Sequence, residues 1–417
     1  VVWASVASWP DDAFGSPADL FGNGARSVGR AGTGVVGTSS PAAAYLNPAE
    51  LGGPGPKAFR LGYRAAHFAL EAESQAHTRS FGDGSGAVEF GVRVPLVLAE
   101  PLAGRLGIGL DVSTPGSLVT RVAILDPSRG QFPLLGGRAD ALDFSVGLGA
   151  LLPYGVRVGA GVLTLASVTG TVAIAGGASG VVENRVNDEL RLVNAPVVGL
   201  SFTLGAVSLG GAYRGELQSD FDLRVTLEDL GQLTLPPLSV VGLAQYHPAQ
   251  WQLEAALSAS RYALVIGLSY EHWSGLARLR GPTVVCPTGA ADCSQPDVPR
   301  LAASDTWIPR VAVTRSFELG RTLTAEGSVG YFYEPSPLPP QSTETNLWDN
   351  DRHVLTLGYG LLVRDPEVAL NLGIQRHFLV PRVHPKSASA DEQGGTYRDV
   401  KTSGGVWVSS LELEVPF

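Results

Sequence analysis

The chain has no methionine among its 417 residues. Translation starts on methionine, so the sequence predicts that a segment ahead of Val1 has been removed, most simply a secretory signal peptide. Cysteine is nearly absent: only Cys286 and Cys293 occur, in CPTGAADC. In an oxidising compartment this pair predicts a disulfide closing a small loop. A metal or redox pair is disfavoured, because no histidine or second cysteine pair lies nearby and the spacing is not CxxC. No stretch offers the roughly 20 uninterrupted apolar residues that a bilayer helix needs. The greasiest one, residues 142–168, is broken by Asp143, Pro153, Tyr154, Arg157 and several glycines. Basic clusters are missing as well. With 30 basic against 39 acidic residues and a net charge of −9, nucleic-acid binding is not expected.

Motifs for catalysis are also wanting. The seven histidines form no HExxH pair, and no GxSxG elbow is present. A Ser-His-Asp set assembled only by folding would leave no mark in the sequence. Gly22-Asn23-Gly24 resembles part of GxGxxG but lacks the flanking strand and helix. Asp349-Asn350-Asp351 lacks the rest of a calcium loop. The reading is therefore a protein that is not an enzyme and needs no cofactor or metal.

What the chain has instead is apolar residues with strand periodicity. Hydrophobic residues make up 44% and mean hydropathy is +0.14. Val88, Phe90, Val92 and Val94 alternate with Glu89, Gly91 and Arg93; Leu106, Ile108, Leu110 and Val112 alternate with Gly107, Gly109 and Asp111. The same pattern returns at 142–149 and 368–375. The final residues, VWVSSLELEVPF, put Trp407, Leu411, Leu413, Val415 and Phe417 on one parity and Ser410, Glu412 and Glu414 on the other. Such an ending resembles the closing strand of bacterial outer-membrane barrels. A barrel pairs every backbone group between strands and leaves no edge, so an apolar chain without helices can still span a membrane.

Connections alternate in length. Short ones are predicted near 98–105, 152–155, 205–207, 247–250, 318–321 and 364–367. Long ones are predicted near 75–86, 114–139, 169–189, 216–235, 275–304, 334–351 and 380–404. Six turns and seven loops give fourteen strands, with both ends on the periplasmic side. Residues 251–273 are read as one long or bulged strand. Trp251, Trp273, Trp307, Tyr331, Tyr333, Tyr359 and Trp407 fall near strand ends, where barrels carry aromatic girdles. A soluble β-sandwich also alternates, but seldom with so many strands.

Residues 1–56 do not alternate and are rich in Gly, Ala, Ser and Pro. Here Gly24-Ala25-Arg26-Ser27-Val28-Gly29-Arg30-Ala31-Gly32 is followed by Ala44-Tyr45-Leu46-Asn47-Pro48-Ala49-Glu50-Leu51. The segment resembles the hatch of FadL-type long-chain fatty acid transporters, a family that includes TodX-type hydrocarbon channels. Tyr270-Glu271-His272-Trp273-Ser274, Trp307-Ile308-Pro309 and Pro335-Ser336-Pro337 with Asp349-Asn350-Asp351-Arg352-His353 resemble later landmarks of that family, in order. The resemblance implies an all-β, fourteen-stranded monomeric barrel over residues 57–417, its lumen plugged by a hatch within 1–56. It implies capture of a hydrophobic ligand from outside and sideways exit into the membrane. About 20 residues ahead of the hatch motif and the Cys286–Cys293 loop depart from the family.

The site expectations follow. Asn47, held extended by Pro48, is expected to fix the plug's turn through backbone hydrogen bonds, with Ala49, Gly24, Gly29 and Gly32 as hatch residues. Leu134, Leu135, Leu227 and Leu230 are candidate ligand contacts in the loops, with Leu233 and Leu235 beside the last two. Arg26 and Arg157 are candidates for a head group, although such arginines commonly pair with lumen acids such as Glu89, Asp143 or Glu326. The family places a wall kink at the third strand, which Gly107, Gly109 and Pro115 would permit. Expected partners are the hydrophobic ligand, outer-membrane lipid and lipopolysaccharide, and a periplasmic or envelope protein. The alternative is a sealed barrel acting as the anchor of an envelope complex.

Overall fold

A computed structural model describes residues 17–74, 78–82, 84–100, 102–116, 130–135, 142–176, 182–228, 238–276, 283–285, 302–342, 345–386 and 399–417. Fourteen antiparallel strands form one closed sheet. They are β1 (Ala58–Glu73), β2 (Gly84–Pro95), β3 (Leu106–Pro115), β4 (Asp143–Leu151), β5 (Val156–Gly176), β6 (Val182–Leu204) and β7 (Val207–Arg214), then β8 (Ala249–Ala259), β9 (Tyr262–His272), β10 (Thr306–Glu318), β11 (Leu323–Glu334), β12 (Arg352–Arg364), β13 (Glu367–Leu379) and β14 (Val400–Pro416). Each pairs with the next. β14 closes on β1 from Ala58↔Pro416 to Glu73↔Lys401. Among the described residues, no helix is long and apolar enough to cross a membrane.

The wall inverts the usual rule of burial. On β1, Tyr63 is 52% exposed and Leu61 46%, while Arg60 is 1% exposed and Arg64 2%. Period-two alternation sends one set outward and the other into the lumen. Water would not tolerate the outer face, which carries Leu200, Leu253, Ile266, Leu355 and Leu357 among many exposed apolar side chains. A bilayer is the solvent that suits it.

Three connections differ from expectation. The fourth tight turn lies at residues 260–261, with Ser260 at φ +55°, and not at 247–250. Residues 251–273 are therefore two strands, β8 and β9, paired from Ala249↔His272 to Ala259↔Tyr262. Pro248 lacks the N–H that a ladder needs, yet the chain runs straight through it. His247↔Leu217 and Gln250↔Arg214 keep one register on either side. The fourteen-strand total survives because one turn was misplaced rather than missed. The predicted loops at 169–189 and 216–235 are largely ribbon. β5 and β6 stay paired out to Gly176↔Val182, and Leu217–Glu228 pairs with Leu238–His247. Their Val, Thr and Ile content favours strand, but nothing there needs to face lipid, so the apolar alternation fades.

Residues 17–56 enter the lumen. Short helices α1 (Pro17–Phe21), α2 (Gly24–Val28) and α3 (Ala43–Leu46) lead to a 3-10 turn at Pro48–Leu51. Leu20, Phe21, Val28, Ala43, Tyr45, Asn47 and Leu51 are buried. Leu20 and Phe21 of α1 cluster with Val28 of α2, and Ala18 of α1 with Tyr45 and Leu46 of α3; both clusters also take in side chains of the inner wall.

Candidate functional site

The plug is held by side chains that reach it from many strands. Asn47 sits at φ −162°, ψ 101°, the extended state that a following proline imposes. Its Nδ2 donates to the Val35 carbonyl at 2.7 Å and to the Leu200 carbonyl of β6 at 3.3 Å, and its Oδ1 accepts the Ala49 amide at 3.0 Å. One amide side chain thus ties a plug loop, the 3-10 turn and the wall together. Glu254 of β8 holds the same loop from the other side. Its carboxylate accepts the amides of Gly34 at 2.9 Å, Val35 at 2.8 Å and Val36 at 3.2 Å. Gln375 of β13 donates to the carbonyls of Phe21 at 2.7 Å and Val28 at 2.9 Å.

An ionic cluster grips the first two helices. Arg60 of β1 pairs with Asp111 of β3, and with Glu412 of β14 at 3.3 Å. Asn23 of the plug accepts from Arg60 at 2.8 Å and donates to Asp111 at 2.5 Å. Glu412 also accepts the Ala25 amide at 3.2 Å. Next to it Arg64 pairs with Glu89 at 2.5 Å and donates to the Gly22 carbonyl at 3.0 Å. These charges are almost wholly buried, so loss of one partner would strand the other in a low-dielectric lumen.

Glycines make the fit possible where backbones meet. A methyl group added to Gly29 would lie 2.5 Å from the Gly358 Cα of β12. Gly24, at φ +79°, faces Arg60 and Glu412, each 2.3 Å from where a Cβ would stand. At Gly32, a Cβ would meet Arg310 at 2.7 Å. The inward glycines of β3 to β6 form a bed for Pro48–Leu51. A Cβ on Gly107 would meet the Leu51 carbonyl at 2.1 Å, and one on Gly109 the Leu51 side chain at 2.7 Å. This corrects the expectation of a kink at Gly107, Gly109 and Pro115. β3 pairs without a register shift with β2, Ala87↔Pro115 to Pro95↔Gly107, and with β4, Leu106↔Ala150 to Ser113↔Asp143. The glycines make room for the plug, and Pro115 falls where pairing with β4 has already stopped. A different ladder narrows at its upper end: β6 pairs with β7 from Val197↔Arg214 downward, and just above that the Gly215 amide donates to the Pro196 carbonyl at 2.9 Å.

Apolar side chains of the plug, the wall and the loops pack into one buried cluster. Leu20, Phe21 and Val28 of the plug join Phe68 and Leu70 of β1, Val406 and Val408 of β14, and the loop residues Phe132, Leu135 and Trp348 in one cluster. Phe81, Phe132 and Trp348 meet edge to face, with centroids 5.5–5.9 Å apart. Leu134 turns instead into a second cluster, with Tyr246, Trp273, Leu276, Leu338 and Leu347. Neighbouring leucines therefore serve different surfaces. A third cluster joins Tyr45 and Leu46 to Leu163, Leu165, Val197 and Leu217, on the inner side of the β6–β7 ladder.

The mouth is also shaped by polar clamps. Arg382 donates to the carbonyls of Leu338 at 2.7 Å and Asp349 at 3.1 Å. His384 Nδ1 accepts the Gln341 amide at 3.0 Å, and its Nε2 lies 3.1 Å from Thr402 Oγ1. Burial, helped by Arg382 and Lys386, pushes the imidazole down to about 4, so it stays neutral at ordinary pH. Burial pushes Lys386 down to about 8 and raises the Asp349 carboxyl. At the rim, burial pushes the Asp305 carboxyl upward, but hydrogen bonds from Tyr270, Ser274 and His272 outweigh it and hold the group below the usual range.

The two candidate head-group arginines lie apart from the apolar column. Arg26 and Arg30 border a small cavity of about 40 Å³ between the plug and the wall, which Glu254 and Glu412 also line. Arg157 reaches Glu50 of the plug at 4.0 Å, and Arg30 pairs with Glu326 at 2.8 Å. Leu230, Leu233, Leu235, Cys286 and Cys293, together with the side chain of Leu227, lie outside the described residues. Among the described residues, no group of acidic, histidine or cysteine side chains is arranged to hold a metal. Sequence reasoning missed Glu254, Gln375, Arg60 and Glu412, although each is a polar residue at inward parity in mid-strand.

No protein-family model matches this sequence, and no curated protein matches it. Solved structures do match along nearly the whole chain. A FadL homologue from Pseudomonas aeruginosa is 15% identical with a TM-score of 0.63, covering 95% of this chain and 98% of that one. The toluene transporter TbuX of Ralstonia pickettii is 15% identical with a TM-score of 0.54, covering 96% and 99%. The toluene transporter TodX of P. putida is 14% identical with a TM-score of 0.54, covering 96% and 99%. This chain shares their fold.

Proposed function

We propose that the protein takes up hydrophobic small molecules across a bacterial outer membrane by passive diffusion. The observation that carries this reading is the apolar column from Phe132, Leu135 and Trp348 at the mouth to Leu20 and Phe21 on the plug. It crosses a lumen otherwise lined by buried charge. Each methylene transferred from water into such a slot gains about 0.8 kcal/mol. The neighbours in fold, two of them toluene transporters by name, support the same class of cargo. The ligand is read as long-chain, fatty acid-like or a hydrocarbon. On this reading residues 1–56 are the plug and 57–417 the barrel.

Exit is sideways rather than straight down. A direct path would require breaking the bonds of Asn47, Glu254, Gln375 and the Arg60 cluster together. The side read as the exit is just above Val197↔Arg214, between the bond from the Gly215 amide to Pro196 and the pairing of β5 with Leu217–Glu228 that begins at Gly170↔Leu223, where apolar side chains line the inner surface.

The test is native mass spectrometry of the barrel in mild detergent. Fatty acids of graded length and monoaromatic hydrocarbons would be offered to the wild type and to Phe21→Asp. A bound apolar ligand, lost in the variant, is the expected result. A barrel that takes up none of them and instead retains a protein partner would replace this reading with an envelope anchor.

A further inference from the structure

We infer that the outer wall carries a binding site for the phosphate of an outer-leaflet glycolipid of the lipid A type, centred on Arg376. The inference rests on the outer-membrane placement above, but not on transport.

Arg376 belongs to the outward parity of β13, with Leu370, Leu372 and Phe378, while Asn371, Gln375 and His377 point inward. Its guanidinium lies 4.9 Å from the Trp407 ring centroid and 5.2 Å from that of Phe378. Trp407 is directly opposite it on β14, and His67 is directly opposite Trp407 on β1. His67 is exposed. An arginine facing lipid is costly unless it reaches the head-group layer or finds an anion. Among the described residues Arg376 makes no ion pair. The two rings fix its plane without neutralising it.

Its height fits the head-group layer. Phe59 and His67 lie eight residues apart on β1, about 26 Å along a strand. With a tilt of about 40° that is roughly 20 Å along the membrane normal, close to the apolar band of about 25 Å in such barrels. Leu355 on β12 continues the rung of His67, Trp407 and Arg376, and below it the wall is apolar: Leu357 on β12, Leu372 on β13 and Leu411 on β14 are exposed. Above it come Glu71 and Lys401. A planar guanidinium at that rung offers a phosphate two parallel N–H donors, while the leucines beneath receive acyl chains.

Three strands from Arg376, between β9 and β10, the girdle has the other polarity. Tyr270 and Trp307 pack with centroids 4.7 Å apart, and Asp305 accepts from Tyr270 at 2.5 Å. That anion disfavours a phosphate there.

The test is native mass spectrometry of the full barrel with added bisphosphorylated lipid A, its dephosphorylated form, or phosphatidylglycerol. Wild type, Arg376→Gln and Arg315→Gln would be compared. Arg315 lies over Tyr262 and Phe317 at the opposite rim and serves as the control. Heat-modifiable gel mobility would confirm that each variant is folded. The expected result is one lipid A retained by the wild type and by Arg315→Gln, with occupancy at least fivefold lower in Arg376→Gln and for dephosphorylated lipid. Apolar-ligand occupancy, read in the same spectra, should not change with Arg376→Gln, which separates this site from the transport reading. Equal lipid A occupancy in Arg376→Gln, or equal retention of phosphatidylglycerol by the wild type, would overturn the assignment.

Discussion

Val35 is held at both ends of its peptide unit: its amide donates to Glu254 of the wall at 2.8 Å, and its carbonyl accepts from Asn47 of the plug at 2.7 Å. The loop between α2 and α3 is thus fixed from two directions by residues 207 positions apart in sequence. Removing either partner should free it.

Glu254→Ala is expected to release that loop. Hydrogen bonds to a charged group are each worth about 1.5–3 kcal/mol, and three amides lose their acceptor. Limited proteolysis should show new cleavage within residues 33–40 while the barrel itself stays intact. Asn47→Ala should expose the same segment.

Gly29→Val should displace the plug, because the Gly358 backbone leaves no room for a side chain. Overpacking of this kind costs about 1–3 kcal/mol. In planar bilayers the variant should pass more current than the wild type, since a shifted plug unblocks the lumen. Gly327→Ala is the control for a small residue at a roomier place, where a Cβ meets nothing closer than 3.8 Å and φ is not positive.

Trp348→Ala should weaken binding of an apolar ligand. Aromatic pairs contribute about 0.5–1.5 kcal/mol each, and Trp348 makes two with Phe81 and Phe132. Because 1.4 kcal/mol is tenfold in affinity, titration should show a loss of roughly tenfold or more. The prediction fails if the affinity is unchanged.

The mouth should loosen in acid. His384 is pushed down to about 4 in the folded protein against about 6.5 when free. The unfolded form binds the extra proton first, so stability is full above about 6.5 and is lost as pH falls through about 4. Protonation also puts an N–H on Nδ1, which now accepts the Gln341 amide. Amide exchange at Gln341, corrected for its intrinsic pH dependence, should accelerate over that window in the wild type. In His384→Gln the acceleration should disappear.

Much of this was legible in the sequence. Fourteen strands followed from alternation and loop lengths, and the extended backbone of Asn47 followed from the proline after it. The misplaced turn shows the limit of that method. His-Pro at 247–248 has the chemistry of a turn, whereas Ser260-Arg261 sits between two apolar runs without glycine or proline, and only register decides between them. The glycines of β3 read as hinges because a sequence does not say what approaches them. The buried ion pairs were invisible for a plainer reason. Arg60 meets partners 51 and 352 positions away, and parity alone cannot choose among the many inward acids.

The seam between β1 and β14 also sets an order of events. β1 follows directly on the plug, and its far edge is bonded along sixteen residue pairs to β14, which comes after the other thirteen in the chain. Until that strand arrives the sheet is an open curl, and the plug can settle against its inner face from the side. Once the seam has zipped, the plug's bonds to opposite walls are enclosed by a ring with no loose end. The wall therefore encloses residues 17–56, and on the proposed function a sequence change that delays their seating would be felt as a fault in membrane insertion before it was felt in transport.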